Sequence, residues 1–417
     1  MLDLRLIRRD PDRVRAALAR RGDDGRLDEV LELDEDWRAA TASAERLRAE
    51  QKTASDAIAA AKRSGEDAEP LLARMREMSA QVKSLTERAR TAEERLHGAL
   101  ATLPNLPDPT SADEDTVVRV VGEPRLRDGR DHLELAGERI DMERAARLSG
   151  SRFAYLRGDL VMLEFALVRW TLEKLRGHGF EPVVPPVLVR EHALYGTGFL
   201  PDTEQQIYRL PDDDLYLVGT SEVALASLHA GEILDGAELP RRYAGFSTCF
   251  RREAGAAGKD TRGIFRVHQF DKVEMFVFCE PDQSVAEHER LLGIEEEILQ
   301  DLEIPYRVVN IAVDDLGSSA AKKYDCEAWL PGQSRYRELT STSNTTDYQA
   351  RRLEIRYRPE EGRRPEVAHT LNGTAVAVGR TIIALLENGQ LEDGSVKLPD
   401  VLVPYGAPSV LPSALAT

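Results

Sequence analysis

The sequence predicts an α+β protein that begins with an antiparallel α-helical coiled coil. Apolar residues repeat at heptad spacing between about residues 27 and 103, which is typical of two long helices that pair along one narrow seam. From Phe246 to Phe278 apolar and polar residues alternate, and this period of two predicts strands with one buried face. Because the proline-rich LPNLPDP at 103–109 separates these parts, we predict domains at 1–110 and 111–417.

Composition excludes several classes of protein. The chain has 417 residues, 31% of them charged, and a net charge of −17, so it is not a general nucleic-acid binder and any RNA contact must come from a local patch. Cys249, Cys279 and Cys326 lie far apart without metal-ligand spacing, so we expect reduced, buried thiols and no structural zinc. The start lacks the apolar core of a secretory signal, and no run approaches the ~18 apolar residues of a membrane helix. We therefore expect a cytoplasmic protein without membrane contact.

The N-terminal domain opens with a helical lead-in, in which Asp10-Pro11-Asp12 predicts a helix start. A first long helix is predicted from Leu27 to Ala61, about 50 Å at ~1.5 Å per residue. Its predicted seam comprises Val30, Leu33, Trp37, Ala40, Ala44, Leu47, Gln51, Ala54, Ile58 and Ala61. A polar break at 62–67 predicts a turn. The seam of the second helix comprises Leu71, Met75, Met78, Val82, Leu85, Ala89, Ala92, Leu96, Ala99 and Leu103.

The coiled coil, called the helical arm below (residues 27–103), has two plausible uses. One is dimerisation or scaffolding, and the other is to reach a distant part of a large ligand. Between Arg46 and Arg95 eleven Lys and Arg residues accompany nine Asp and Glu residues, a local excess of positive charge in an acidic chain. A stripe able to face phosphates consists of Arg46, Arg48, Lys52, Arg74, Lys83, Arg88, Arg90 and Arg95. Charge alone leaves both uses open.

The predicted hairpin carries an unusual polar face. Its second strand is predicted from Ile264 to Phe278. The face expected in the core holds Phe265, Val267, Val273, Met275 and Val277. The opposite face holds Arg266, His268, Phe270, Lys272, Glu274 and Phe276. Arg251 and Glu253 share a face at the end of the first strand. The segment at 254–263, with Lys259 and Arg262, predicts a mobile basic loop over a pocket.

These residues suit a nucleoside triphosphate held on a sheet. Guanidinium groups match phosphate oxygens in fixed geometry, and a ring such as Phe270 stacks on a purine. Glu253 is suited to accept a hydrogen bond from an exocyclic amine. A surface hairpin with cross-strand ion pairs explains the same pattern, and the spacing alone does not separate the two interpretations.

The amino-acid sequence of this segment also resembles a known protein family. The string FRREAGAAGKDTRGIFRVHQFDKVE resembles motif 2 of the class II aminoacyl-tRNA synthetases, here at about 246–278. Within that class, GAAGKDTRG followed by RVHQFDKVE is similar to seryl-tRNA synthetases. The resemblance implies an antiparallel sheet flanked by helices, a homodimer, and a helical arm that grips the long variable arm of a tRNA.

Weaker signals before motif 2 agree with this family. A helix predicted from Asp159 to about His178 and an extended piece ending at Pro185-Pro186 resemble motif 1, at about 165–186, which builds the family's dimer interface. Thr220-Ser221-Glu222 resembles the loop that engages the amino acid. The alternative for this tripeptide is a helix cap, in which Thr220 or Ser221 satisfies the start of the next helix.

Two segments that follow motif 2 resemble the same family. YRELTSTS at 336–343 predicts a strand in which Glu338 and Ser341 match the family's magnesium and phosphate ligands. A strict period of two would place them on opposite faces, so a bulge or strand end near Thr340 is required. TLNGTAVAVGRTIIALLEN resembles motif 3, at about 369–390, with a helix predicted to include Val376. Its Arg380 matches a γ-phosphate ligand, and a structural ion pair with Glu387 is the alternative.

The resemblance implies activation of L-serine by ATP, with Mg²⁺, followed by transfer to tRNA(Ser); it leaves open whether tRNA(Sec) is also charged. The implied catalytic residues are Arg251 and Arg380. The implied ATP-binding residues are Arg251, Arg252, Glu253, Arg266, Val267, Phe270, Glu338, Leu339, Thr340, Ser341 and Arg380, with Mg²⁺ on Glu338 and Ser341. The implied serine-binding residues are Thr220, Ser221, Glu222, Arg251, Glu274, Asn372 and Thr374.

Two rival functions remain at the level of sequence. One is a specialised paralogue that activates serine or another small amino acid for a biosynthetic pathway or a carrier protein. The intact arm argues against a role with a carrier protein alone, since such an enzyme needs no RNA contact. The other is a non-catalytic scaffold, which the joint presence of Arg251, Glu253, Arg266, Glu338 and Arg380 disfavours. We expect residues after about Pro404 to form an unanchored tail.

Overall fold

The computed structural model describes residues 1–22, 25–124, 128–201, 206–254, 258, 260 and 262–414. The chain divides into two compact units, Leu2–Leu103 and Pro104–Thr417. Within the described ranges, no helix combines the length and the apolar character needed to cross a bilayer. Half of the basic loop predicted over the pocket (254–263), including Lys259, lies outside the described residues.

The N-terminal unit consists of helices α1 (Leu4–Arg9), α2 (Pro11–Ala19), α3 (Arg26–Ser64) and α4 (Glu69–Thr102). Asp10 caps α2 by accepting from the Arg13 N–H, and Pro11 occupies its first turn, as predicted. Helix α3 ends at Gly65, which adopts the left-handed conformation that glycine tolerates best (φ +77°).

Helices α3 and α4 form the predicted antiparallel pair. Gln51 Nε2 donates to Ser79 Oγ over 2.9 Å, and Arg48 donates to Thr86 Oγ1 over 2.9 Å. All twenty predicted seam residues are buried or half-buried, while the eight cations of the predicted stripe are exposed. The heptad interpretation is confirmed for this unit.

The second unit contains the remaining elements. Its helices are α5 (His132–Ala136), α6 (Met142–Ser149), α7 (Asp159–Gly177), α8 (Glu191–Thr197), α9 (Glu222–Ala226), α10 (Ser284–Asp301), α11 (Tyr348–Arg352) and α12 (Val378–Gly389). Its strands are β1 (Thr116–Val121), β2 (Ile140–Asp141), β3 (Tyr155–Leu156), β4 (Glu181–Val183), β5 (Leu188–Val189), β6 (Arg209–Leu210), β7 (Leu215–Leu217), β8 (Ile233–Asp235), β9 (Arg241–Phe250), β10 (Gln269–Cys279), β11 (Tyr306–Asn310), β12 (Lys322–Leu330), β13 (Arg335–Thr346), β14 (Arg356–Arg358), β15 (Glu366–Val367), β16 (His369–Ala377), β17 (Val396–Lys397) and β18 (Val410–Leu411).

Eight of these strands form one sheet in the order β1-β11-β12-β13-β16-β10-β9-β4. All neighbours pair antiparallel except β4, which runs parallel to β9 at the edge. Apolar residues of α7, α10 and α12, among them Leu163, Ile294 and Ile382, are buried in one core with Val273 and Met275 of β10. The antiparallel sheet flanked by helices is thus the observed fold.

The predicted hairpin differs from the observed one in two respects. Strand β10 begins at Gln269 rather than at Ile264, so Phe265, Arg266 and Val267 precede the strand. The strand is also covered on both faces, because Phe276 and Phe278 pack in a second apolar cluster with Leu225 and Ile355. One-sided burial was therefore the wrong expectation for a central strand between β9 and β16.

Two further expectations were wrong. The helix of motif 3 begins at Val378, because Val376 and Ala377 still pair with Val273 and Lys272 of β10. The described part of the chain after Pro404, up to Ala414, is anchored rather than free: Val410 and Leu411 pair with β17, and the side chain of Leu411 is buried. The three cysteines are buried and free, as expected.

Candidate active site

A cavity lies where β10, β13 and β16 run side by side in the sheet. It is lined by Arg251, Glu253, Ile264, Phe265, Val267, Phe270, Lys272, Glu338, Leu339, Thr340, Ser341, Thr374, Ala377, Gly379 and Arg380. Nine of the residues predicted to bind ATP are among them, together with Thr374 from the predicted serine set. The sheet therefore brings together residues that are up to 129 positions apart, from Arg251 to Arg380.

Arg251 follows the last residue of β9. Its Nε donates to the carbonyl oxygen of Gly219 over 3.2 Å, and its guanidinium carbon lies 5.3 Å from the centre of the Phe270 ring. A cation at this distance is attracted by the face of the ring. The contact holds a guanidinium beside the surface on which a purine would stack.

Arg380 lies in the first turn of α12 and faces the same cavity. Its Nη1 donates to the backbone oxygen of Glu338 over 3.0 Å and lies 3.2 Å from Glu338 Oε1. Burial lowers the pKa of Arg380, while the charge of Glu338 opposes that shift. The alternative pairing with Glu387 is wrong, because Glu387 accepts from Gly332 N–H and from His132.

Arg266 and Glu253, both predicted to bind ATP, contact each other. Arg266 Nη1 donates to Glu253 Oε2 over 2.7 Å, and Arg266 Nε lies 3.7 Å from Asp260 Oδ2. Glu253 has a positive φ of +51°. If each residue binds ATP as implied, this ion pair must open. Arg252 is exposed and does not line the cavity.

The bulge required near Thr340 is present. Cys326 of β12 pairs with Thr340 of β13, whereas the next residue pairs with Glu338, so Leu339 is the extra residue. The bulge shifts the alternation by one position, and both Glu338 and Ser341 line the cavity. Burial disfavours the charged form of Glu338, yet the nearby cations, chiefly Arg380, lower its pKa overall.

The predicted serine-binding residues other than Arg251, which is exposed, form a buried polar cluster at this cavity. Thr220 Oγ1 donates to Glu274 Oε2 over 2.9 Å, and Asn372 Nδ2 donates to Glu222 Oε1 over 2.8 Å. Thr374 pairs in register with Glu274 across β16 and β10. Burial raises the pKa of the Glu222 carboxyl.

The helix-cap interpretation of the Thr-Ser-Glu tripeptide has structural support. The Thr220 hydroxyl accepts from the Glu222 N–H over 3.2 Å at the start of α9, as a cap would. The same oxygen also contacts Glu274, and binding of the amino acid by this tripeptide stays a prediction. The hydroxyl of Ser221 is buried without a hydrogen-bond partner in the described part of the chain.

Sequence reasoning missed three residues of the site. Lys272 donates from Nζ to Thr220 Oγ1 over 2.7 Å and forms an ion pair with Glu274. Gln349, fully buried, donates to Glu222 Oε1 over 2.7 Å. Asp325 pairs in register with Ser341 and lies 3.1 Å from the Lys323 ammonium. Only Lys272 had a signal, since it lies between Phe270 and Glu274 on the predicted polar face of the strand.

The fold and this site define an aminoacyl-tRNA synthetase of class II. Residues 206–389 match the family described as tRNA synthetase class II core domain (G, H, P, S and T), and residues 1–107 match the seryl-tRNA synthetase N-terminal domain. The chain belongs to the seryl-tRNA synthetase family.

The similarity of this chain to its relatives and to a solved structure extends over almost its whole length. The serine–tRNA ligase of Acidothermus cellulolyticus is 54% identical over 421 residues, and that of Nocardia farcinica is 53% identical, with 99% of each chain covered. The crystal structure of seryl-tRNA synthetase from Pyrococcus horikoshii complexed with ATP superposes with a TM-score of 0.95 at 42% identity, covering 99% of this chain and 100% of that one.

Proposed function

We propose that this protein is a serine–tRNA ligase of the cytoplasm. It activates L-serine with ATP to seryl-adenylate and pyrophosphate, and then transfers the seryl group to the 3′ end of tRNA(Ser). The proposal rests mainly on one observation: a cavity lined by Arg251 and Arg380 adjoins a buried polar cluster of Thr220, Glu222 and Glu274.

The first step needs positioning and charge stabilisation but no protein nucleophile. A carboxylate oxygen of serine attacks the α-phosphorus of ATP, the bond from that phosphorus to the bridging oxygen breaks, and pyrophosphate leaves. Arg251 offsets the charge that develops on the α-phosphate, and Arg380 with Arg266 holds the γ-phosphate. Phe270 stacks on adenine, and Glu253 accepts from its amino group.

The amino acid is held by groups of complementary charge. Thr220, Glu222 and Glu274 bind the α-ammonium and the hydroxyl of serine, with Asn372 and Thr374 closing the pocket. A site that hydrogen-bonds the substrate hydroxyl rejects alanine by a factor of about 10⁴ or more, because its buried polar groups would then be left unpaired.

The residues present fit a magnesium ion. Glu338 and Ser341 supply hard oxygen donors at one edge of the cavity, and Mg²⁺ usually takes one or two protein oxygens together with substrate phosphates. When bound there, the ion neutralises phosphate charge. Glu338 also orients Arg380 through their ion pair.

The remaining partners follow from exposed surfaces. The cationic stripe of the helical arm is exposed and suits the phosphates of tRNA(Ser). Apolar side chains of α7 and just beyond β4 are exposed, with Phe165 at 61% and Val184 at 80%, and they suit the interface of a homodimer.

The decisive experiment is amino-acid-dependent ATP–pyrophosphate exchange without RNA, across serine, threonine, alanine, glycine and cysteine. We expect exchange with serine alone. Addition of tRNA(Ser) or tRNA(Sec) then identifies the acceptors. Exchange with another amino acid, or serine exchange without charging of any tRNA, would favour the specialised paralogue instead.

A further inference from the structure

The hydroxyl of Thr220 has no hydrogen-bonding capacity left in the free protein. It donates its one hydrogen to Glu274 Oε2 over 2.9 Å. It accepts from the Glu222 N–H over 3.2 Å and from Lys272 Nζ over 2.7 Å. A hydroxyl offers one donor and two acceptor positions, so all three are used.

An incoming ammonium must therefore displace one of these donors. The Glu222 N–H is fixed by the backbone at the start of α9, whereas Lys272 Nζ stands on a flexible four-carbon stem. The same Nζ also pairs with Glu274. Lys272 thus offers a primary ammonium to Thr220 and Glu274, which is the same chemical group that serine would offer.

We propose that the ammonium of Lys272 occupies the subsite of the serine α-ammonium. When serine binds, its α-ammonium displaces that of Lys272, and the displaced lysine ammonium then pairs with the substrate carboxylate beside the α-phosphate. The inference rests on the proposed function, because it takes Thr220 and Glu274 as the serine site. Under this inference Lys272 contacts the substrate, and its ammonium occupies two positions in succession: first at Thr220 and Glu274, and then at the serine carboxylate.

The surroundings of Lys272 favour this exchange. The residue lines the same cavity as Arg251 and Thr374, so its side chain reaches the nucleotide side without leaving the site. Burial lowers the pKa of Lys272 to about 8, because a buried ammonium loses its hydration. A carboxylate that approaches a phosphate is repelled, and an ammonium between them reduces that repulsion.

Ethanolamine tests the first half of the exchange, because it carries the ammonium and hydroxyl of serine but no carboxylate. If Lys272 fills the subsite in most molecules, Lys272→Met should bind ethanolamine about tenfold more tightly by calorimetry than the wild type does. Lys174→Met makes the same change at a surface ion pair with Asp301 and should leave this affinity unchanged. Weaker binding of ethanolamine by Lys272→Met would overturn the inference, since it would mean that the lysine merely supports Thr220 and Glu274.

Two measurements test the second half. In Lys272→Met the kcat of serine-dependent pyrophosphate exchange should fall about 100-fold, without a rise in the KM for serine. In a crystal structure of the wild type with serine, Nζ should have left Thr220 and should contact the serine carboxylate; an unchanged contact with both Thr220 and Glu274 refutes the exchange even if the variant fails to fold. Serine-dependent exchange by the wild type is measured first, so that failure of the proposed function is recognised separately.

Discussion

Arg251 occupies its place because three local features coincide. Strand β9 ends at Phe250, the carbonyl of Gly219 accepts from the arginine Nε, and the Phe270 ring lies beneath the guanidinium. A lysine would make these contacts in a less defined geometry, since it lacks the planar, delocalised head group. The side chain is thus held in one orientation before ATP arrives, as electrostatic stabilisation of a transition state requires.

Substitution of this arginine should therefore affect chemistry more than folding. We expect Arg251→Ala to lower serine-dependent pyrophosphate exchange by about 10³-fold or more, because the charge developing at the α-phosphate loses its counterion. The melting temperature should change little, because the side chain is exposed. Arg363→Ala removes an exposed arginine outside the cavity and serves as control. Exchange near the wild-type rate in Arg251→Ala would refute its catalytic role.

A second residue, His288, links the sheet to its covering helix. The imidazole of this α10 residue donates from Nε2 to the carbonyl oxygen of Thr342 on β13 over 3.2 Å and packs against Tyr324. Burial lowers the pKa of His288 to about 4, so the ring is neutral in the folded protein at pH 5 to 7.

This lowered pKa predicts a loss of stability in mild acid. Below the unfolded pKa of about 6.5, the unfolded chain binds a proton that the folded protein does not, so the folded state loses stability as the pH falls toward 4. Between pH 7 and pH 5, protonation of His288 in the unfolded chain should lower the free energy of unfolding by about 2 kcal/mol. Urea unfolding of His288→Gln should show a correspondingly smaller pH dependence, whereas His192→Gln, at an exposed histidine of α8, should behave like the wild type. Equal pH dependence in His288→Gln and the wild type would contradict the assignment.

At the scale of elements, the helical arm was the part most accessible to prediction. Each of its helices buries one seam, so heptad spacing directly reports which side chains are covered. The central strand β10 was less accessible, because its alternation suggested one buried face although both faces are covered, and the same alternation continues before Gln269, so that Ile264 was wrongly included in the strand. The start of α12 was also misplaced: Val376 continues a buried strand, and apolar residues at its end do not differ from those of a buried helix.

The polar network of the site was only partly predictable. Gln349 reaches Glu222 from another element, 127 positions away in sequence, and nothing in the local pattern of SNTTDYQ indicates that contact. The bulge at Leu339, in contrast, followed from a geometric requirement once Glu338 and Ser341 were assigned to one site. Long-range contacts need the fold, whereas local irregularities can be inferred from what a site demands.

The antiparallel register of the arm allows it to be shortened cleanly. Because Gln51 contacts Ser79, residues 45 and 85 lie nearly opposite, and 45–85 can be replaced by a short glycine-rich turn. This change removes Arg46, Arg48, Lys52, Arg74 and Lys83, so charging of tRNA(Ser) should fall by about 100-fold or more, because phosphate contacts dominate such affinities. Pyrophosphate exchange without RNA should remain unchanged. Normal tRNA charging by the shortened protein would instead make the arm a scaffold.

At the scale of the whole molecule, the exposed apolar side chains of α7 mark the surface where a second copy should bind. Met162 is 50% exposed and Phe165 is 61% exposed, although the opposite side of α7, with Leu160, Leu163 and Leu167, is fully buried. Edge strand β4 is followed directly by Val184, which is 80% exposed. A helix that is apolar on two sides is typical of an element buried twice, once on folding and once on association.

A charge on this surface should separate the protomers. We expect the wild type to sediment as a dimer at micromolar concentration and Phe165→Asp to sediment as a monomer, since an unpaired carboxylate cannot be buried in an apolar interface without large cost. Val285→Asp introduces the same charge at an exposed apolar residue of α10 and should remain dimeric. A dimeric Phe165→Asp variant would place the interface elsewhere.

The extra residue at Leu339 also bears on how this gene can vary. A substitution in β13 changes one side chain, whereas deletion of Leu339 would remove the bulge and leave Glu338 and Ser341 two positions apart, on the same face of a regular strand. Deletion of Leu339 should therefore preserve the facing of Glu338 and Ser341, whereas deletion of another single residue of β13 would turn the side chains on one side of the deletion to the opposite face.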